Sequence, residues 1–286
     1  MRPQRPTPMP DHRIGMHSDW VDIPFDGRCI RIEYQWLRAE RAQRPLVVFL
    51  HEGLGSVSMW RDFPRSFCEA GDFRGLVFSR YGYGRSTPRP HDEKWGVDFM
   101  HRQAREALPA LFEALEIGPG SSHGKPWLLG HSDGGSIALI HAASFPDSVD
   151  GITVLAPHIL VEDVSVRSIA ATRQAYLETD LRSRLARYHD DVDSAFWGWN
   201  DIWLDPAFRQ WDLHDLLPQF RCPVLAVQGE DDEYGTMAQI EGIHRYAPQT
   251  ALLKLARCGH SPHRDQPEPL TQAAVRFINA HTSYLK

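Results

Sequence analysis

The feature that most constrains this chain is a repeated alternation of short apolar runs with longer stretches of helical periodicity. Residues 45–51 read PLVVFLH, a continuous β-rich run typical of a strand that is buried on both faces of a parallel sheet. Runs of similar character occupy residues 74–80, 126–130, 151–156, 223–228 and 250–255. Between them, apolar spacing predicts helices over residues 97–115, where Pro109 should kink or delay the helix, and over residues 270–278. This alternation predicts an α/β fold, a mostly parallel central sheet with helices on both faces.

Two segments depart from the alternation. Residues 20–37 predict a pair of antiparallel strands around an Asp-Gly turn. Residues 158–218 contain no strand-like run, are helix-prone and aromatic, and are too long for a structureless loop inside a compact domain. The predicted organisation is a flexible Pro- and Arg-rich lead-in (1–19), an α/β core (20–157 and 219–286) and a helical cap inserted into it (158–218).

Composition excludes several classes of function. The net charge is −6 and no long Lys/Arg run is present, so a nucleic-acid partner is not expected. No apolar stretch approaches the roughly 18 residues of a membrane span, and the N-terminus lacks the apolar segment of a secretory signal. Four cysteines lie far apart without a C-x-x-C pair, which favours free thiols in a cytoplasmic protein. The histidines are scattered without ligand-like spacing, so neither a metal site nor another cofactor is expected.

The strongest local signal is the sequence LLGHSDGGSIALI at residues 128–140, which contains a G-x-S-x-G motif centred on Ser132. The motif follows a predicted strand and opens a predicted helix. That context is required of a nucleophile elbow, in which a strained strand-to-helix turn lifts the serine hydroxyl clear of the sheet. The small residues Gly130 and Gly134 allow the backbones to approach closely. We therefore interpret Ser132 as a nucleophile.

A serine hydroxyl is a poor nucleophile at neutral pH and needs an adjacent base. His260 follows the last predicted strand directly after Gly259, where a loop would return its imidazole to the elbow. We prefer it to His263, the nearest alternative in the same loop. The imidazole needs a carboxylate to fix its tautomer, and four consecutive acidic residues, 230–233, leave the penultimate strand. One of these four is expected to supply the carboxylate.

The chain order of serine, acid and histidine resembles that of the α/β-hydrolase superfamily, and the resemblance extends from about residue 20 to the C-terminus. HEGLG at residues 51–55 is similar to the H-G-x-P-G turn of that family. SRYGYGRS at residues 79–86 is similar to its D-x-R-G-x-G-x-S loop. Residues 229–232 resemble the G-x-x-D that supplies the acid, which implies Asp232 rather than Asp231.

The resemblance also implies an oxyanion hole made by the backbone N–H groups of Gly53 and Asp133. Two side chains in these loops differ from the family pattern. Glu52 replaces a glycine beside the oxyanion turn, which makes it a candidate residue of the substrate pocket. Asp133 places a carboxyl group next to the nucleophile, and we expect loop N–H groups or Arg80 to anchor it structurally. A role in substrate binding is the alternative.

These features predict a serine hydrolase that cleaves a small carboxylic ester or thioester through an acyl-enzyme. The expected partner is an ester-like small molecule with apolar or aromatic groups. Hydrolysis of a C–C bond in aromatic ring-cleavage products is an alternative, although the chain lacks the S-G-P-G-A-type turn of such relatives. A ligand receptor that keeps the triad is a second alternative. Acyl transfer and perhydrolysis also stay open. Dehalogenation and epoxide hydrolysis need an aspartate where this chain has Ser132.

Aromatic residues are concentrated in the predicted cap. Four of the nine tryptophans, Trp197, Trp199, Trp203 and Trp211, fall within fifteen residues. Phe196, Trp199 and Trp203 are spaced so that they share one helical face, and we expect this face to dock the cap onto the core. A sharper hypothesis is that Trp197 or Trp203 forms the roof of an apolar acyl pocket.

Overall fold

The computed structural model describes residues 18–282, and an eight-stranded sheet lies at its centre. The strand order is β1-β2-β4-β3-β5-β6-β7-β8. β1 and β2 pair antiparallel with their neighbours, and all pairs from β4 to β8 are parallel. The strands are β1 (Asp19–Phe25), β2 (Arg28–Leu37), β3 (Leu46–Leu50), β4 (Arg74–Phe78), β5 (Trp127–His131), β6 (Gly151–Leu155), β7 (Val224–Gly229) and β8 (Ala251–Leu255). The predicted α/β class with a mostly parallel sheet is confirmed.

Helices cover both faces of the sheet, as predicted. Side chains of β3 alternate between two hydrophobic clusters, with Val48 in one and Phe49 in the other, because successive residues of a strand point to opposite faces. Helices α3 and α4 pack on the first cluster, and α1 and α10 on the second. The helices are α1 (Phe63–Gly71), α2 (Phe99–Arg102), α3 (Leu108–Ala114), α4 (Asp133–Ser144), α5 (Asp163–Glu178), α6 (Leu181–Leu185), α7 (Val192–Leu204), α8 (Ala238–Tyr246), α9 (Pro262–Asp265) and α10 (Pro267–His281).

The disturbance predicted at Pro109 takes the form of a π-helical turn. This turn, Gln103–Ala107, joins α2 to α3, and Pro109 lies in the first turn of α3. Proline has no backbone N–H to donate to the preceding turn of a helix. A local π-helical turn before it lets the chain continue as one irregular helix.

The segment between β6 and β7, called the insertion below (residues 158–218), consists mainly of helices. It contains α5, α6 and α7 and two short 3₁₀ helices, Pro206–Gln210 and Leu217–Gln219. The predicted face of α7 is buried, with Phe196, Trp199 and Trp203 all at most 7% exposed. Among the described residues, no helix is long and apolar enough to cross a membrane.

The first strand begins one residue before the predicted start of the core. Asp19, placed by the sequence in the flexible lead-in, is the first residue of β1 and pairs with Tyr34. The remainder of the predicted lead-in, up to residue 17, lies outside the described residues.

Candidate active site

Ser132 lies in a sharp turn between the end of β5 and the start of α4. Its backbone dihedral angles are φ 52° and ψ −121°, a conformation that non-glycine residues rarely adopt and that costs free energy. A Cβ atom added to Gly130 would lie 2.3 Å from the Gly134 carbonyl oxygen, and one added to Gly134 would lie 2.1 Å from that of Leu50. The two glycines are therefore required by backbone contacts around the turn.

The imidazole of His260 lies between the side chains of Ser132 and Asp232 and contacts both. His260 Nε2 is 2.9 Å from Ser132 Oγ, and His260 Nδ1 is 2.9 and 3.0 Å from the two carboxylate oxygens of Asp232. The Asp232 side chain is buried and also accepts hydrogen bonds from the backbone N–H of Tyr234 and the side-chain amide of Gln228. Burial raises its pKa, but the hydrogen bond and charge of His260 outweigh that effect and the net pKa is lowered. Asp232 is thus ionised at neutral pH and oriented toward the imidazole.

The two alternatives from the sequence lie elsewhere. His263 is buried in an aromatic cluster, with its ring centroid 4.9 Å from that of Trp60 and 5.5 Å from that of Phe63. Asp231 is exposed. The structure therefore brings together Ser132, Asp232 and His260 from three different loops.

The turn after β3 and the start of α4 lie beside Ser132. Gly53 and Asp133 both line the cavity into which Ser132 opens. Asp133 is the first residue of α4, so its backbone N–H has no partner within the helix. The indole of Trp199 covers Gly53 so closely that an added Cβ would lie 2.2 Å from Trp199 Nε1. A side chain at position 53 would therefore force the Trp199 indole or the turn to move.

The Asp133 side chain points into the protein. Its Oδ1 accepts a hydrogen bond from Trp203 Nε1 at 3.2 Å, and its Oδ2 lies 4.0 Å from Arg80 Nη2. Burial raises its pKa to about 6, because the attraction of Arg80 only partly compensates for the loss of water. The expected anchoring by Arg80 is a longer-range ion pair, and the direct donor is Trp203, a residue that the sequence did not connect to Asp133.

The cavity has a volume of about 540 Å³. Its core side includes Glu52, Ser132 and His260, whereas its insertion side is mostly apolar. The apolar residues of the insertion that line it are Ile169, Ala171, Ala175, Leu181, Leu185, Trp199 and Trp203.

Trp203 and Trp197 are placed differently with respect to this cavity. Trp203 is among the residues that line it and Trp197 is not, so the cavity lining favours Trp203 over Trp197 for the predicted pocket role. Its ring packs edge-to-face on Tyr176 and Phe196, and the guanidinium of Arg173 lies over it. Trp197 lies on the less buried side of α7 together with Asp193 and Asp201, because residues four positions apart share one side of a helix.

The sequence did not identify three residues around His260. His131 donates to its backbone carbonyl, the ring of Tyr234 lies 4.7 Å from the imidazole, and the ring of His158 lies 5.8 Å from it. His158 follows β6, and Tyr234 follows the acid in the loop after β7. Their positions after the carboxyl ends of parallel strands, where sites of α/β sheets form, were an available signal.

Comparisons with known proteins agree with this architecture. Residues 47–273 match the alpha/beta hydrolase family. Human serine hydrolase BPHL is 28% identical over 214 residues, which cover 72% of this chain and 69% of that protein. The bifunctional esterase/perhydrolase DCH of Acinetobacter calcoaceticus is 26% identical over 217 residues, covering 65% and 74%. A thermophilic esterase from Thermogutta terrifontis superposes with a TM-score of 0.69 at 21% identity, over 92% of this chain and all of that one.

The chain belongs to the α/β-hydrolase family. The family match and the serine hydrolases and esterases among its relatives confirm the resemblance inferred from the sequence, and with it the expectation of an α/β-fold hydrolase.

Proposed function

We propose that this protein is a serine hydrolase that cleaves a small carboxylic ester through an acyl-enzyme on Ser132, with thioesters open to the same chemistry. The observation that carries the proposal is the continuous hydrogen-bonded chain from Ser132 through His260 to Asp232, with the hydroxyl end opening into the cavity.

In the first half of the reaction, Ser132 Oγ attacks the ester carbonyl carbon while His260 Nε2 takes the hydroxyl proton. The imidazolium then gives this proton to the leaving alcohol, the carbon–oxygen ester bond breaks, and the acyl group stays on Ser132. In the second half, water repeats the attack with the same base, and the acid is released. Asp232 stabilises the imidazolium and holds its tautomer.

Negative charge develops on the carbonyl oxygen during both attacks. We assign its stabilisation to the backbone N–H groups of Gly53 and Asp133, each worth about 3–4 kcal/mol where single donors have been removed from other hydrolases. Asp133 acts here through its backbone, while its side chain bonds to Trp203.

The apolar insertion side of the cavity supports an apolar or aromatic acyl group as the preferred substrate part. In this proposal the insertion is a cap that covers the acyl group, with Trp203 in its roof and Glu52 on the opposite, polar side. The relatives named serine hydrolase and esterase/perhydrolase favour the same reaction class.

Intact-mass analysis after mixing with esters, thioesters and ring-cleavage products tests this proposal. We expect an acyl adduct from esters that is absent in Ser132→Ala, together with many turnovers per enzyme. Turnover of ring-cleavage products alone would replace the proposal with C–C hydrolysis. Near-stoichiometric hydrolysis that stops after one event would indicate a receptor.

A further inference from the structure

Glu52 lies in the turn after β3, where the similar family motif has glycine, and its mostly buried carboxylate lies between the side chains of His131 and Arg264. Its Oε2 is 3.5 Å from His131 Nδ1, and its Oε1 is 3.5 Å from Arg264 Nη2. The side chain is 16% exposed. Glu52 therefore sits on the core side of the cavity with its charge directed at neighbouring protein groups.

His131 immediately precedes Ser132 and is buried. Its Nε2 lies 2.7 Å from the backbone carbonyl oxygen of His260. A carbonyl oxygen only accepts hydrogen bonds, so Nε2 carries a proton and donates it. Nδ1 is consequently the atom that faces Glu52, and the contact is attractive only when Nδ1 carries a proton as well.

We propose that Glu52 and His131 are positioning residues, which form an ion pair that aims the Nε2–H of His131 at the His260 carbonyl and thereby fixes the catalytic base. The inference rests on the proposed serine mechanism. These contacts link three loops. Glu52 precedes the proposed oxyanion donor Gly53, His131 precedes Ser132, and His131 contacts the backbone carbonyl of His260. Displacement of one loop is then transmitted to the other two.

The charges around Glu52 support an ionised carboxylate. Burial raises its pKa, but His131, His263 and Arg264 together bring the pKa well below its ordinary value. Burial also holds the pKa of the His263 imidazole well below its usual range, so His263 is neutral near pH 7. The remaining partners of Glu52 are the guanidinium of Arg264, which is half-exposed, and the buried side chain of His131.

The alternative role for Glu52 is direct contact with substrate, since it lines the cavity. The two roles affect different kinetic constants. Loss of a substrate contact that is equal in ground and transition states raises KM, whereas loss of base alignment lowers kcat. Small errors in the placement of a catalytic group cost up to about 100-fold.

A double-mutant cycle with Glu52→Gln and His131→Phe tests the inference. We expect each single variant to lower kcat by about 10- to 100-fold with little change in KM. The kcat of the double variant should be no lower than that of the less active single variant, because both substitutions break the same chain of contacts. His131→Gln should recover much of the loss, since its amide still donates to the His260 carbonyl.

Asp231→Asn is the matched control, an exposed carboxylate that becomes an amide in the acid loop. It should change kcat little and should be additive with Glu52→Gln. If His131→Phe does not fold, His131→Ala, which also lacks the donor, replaces it in the cycle. Effects of Glu52→Gln and His131 variants that multiply, a change in KM alone, or an unchanged kcat would each overturn the inference.

Labelling of Ser132 by a fluorophosphonate separates this inference from the proposed function. A wild-type protein that is not labelled at Ser132 contradicts the serine mechanism. Normal labelling of the wild type combined with an unchanged kcat in the Glu52 and His131 variants contradicts only the positioning role.

Discussion

The two sides of the cavity are built on different principles. On the core side, loops after parallel strands present Ser132, Asp232 and His260, and each side chain is held by hydrogen bonds within 3.0 Å of its neighbour. On the insertion side, helices present mainly aliphatic and aromatic surfaces. Two tryptophans of the insertion contact the core site: Trp203 donates a hydrogen bond to Asp133, and Trp199 covers Gly53.

This difference has an energetic consequence. Hydrogen bonds depend steeply on direction and distance, so the core side tolerates little change before the reaction itself is affected. Apolar contacts are non-directional and scale with buried area, so the insertion side discriminates between substrates in smaller steps. Substitutions on the two sides should therefore differ by orders of magnitude in their effects on kcat/KM.

The largest effect is expected from Ser132→Ala. Loss of the nucleophile should reduce kcat by about 10⁴-fold or more, as in other serine enzymes, while the melting temperature stays close to that of the wild type. Steady-state kinetics and fluorophosphonate labelling measure this. Residual activity above about one per cent in protein free of contaminating esterase would rule out Ser132 as the nucleophile.

Asp232→Asn should have the next largest effect. An amide in place of the carboxylate stabilises the wrong imidazole tautomer, which costs about 10⁴-fold in kcat in a comparable triad. Asp231→Asn, one residue earlier and exposed, should change kcat little and serves as the control. The reverse order of effects would mean that the neighbouring carboxylate supplies the acid.

Gly53→Ala tests the place where the two sides touch. The added Cβ would lie 2.2 Å from Trp199 Nε1, so either the oxyanion turn or the indole must move. We expect kcat to fall by about 100-fold, the lower bound for loss of one oxyanion donor. Trp199→Leu in the same protein should restore part of this loss by making room for the methyl group. Absence of any such restoration would show that the turn is displaced for another reason.

The sequence allowed different levels of prediction on the two sides. The sharp turn at Ser132 was predictable because it needs Gly130 and Gly134, a local backbone requirement that is visible in consecutive residues. The helical content of the insertion was also predicted, because it depends on local spacing. The boundaries of the predicted cap, residues 158 and 218, remain a prediction.

Which tryptophan faces the cavity was not predictable in the same way. Trp197 and Trp203 differ in their rotation around α7, and that rotation is fixed by packing against α5 and the core. Likewise, the contact of Trp199 with Gly53 joins positions 146 apart in the chain. Residue patterns within one helix contain no information about such contacts.

The smallest effect is expected from Leu181→Phe, which probes the proposed acyl side of the cavity. Leu181 lines the cavity at the start of α6, and a larger ring there should narrow the space for the acyl group. We expect kcat/KM for bulky acyl esters to fall about tenfold relative to acetyl esters, equivalent to about 1.4 kcal/mol of differential transition-state binding. Leu177→Phe is the matched control, because Leu177 is 62% exposed and does not line the cavity. If Leu181→Phe instead changes the preference among alcohol groups, the leaving group lies against the insertion. If Leu181→Phe and Leu177→Phe have equal effects, Leu181 has no role in selectivity.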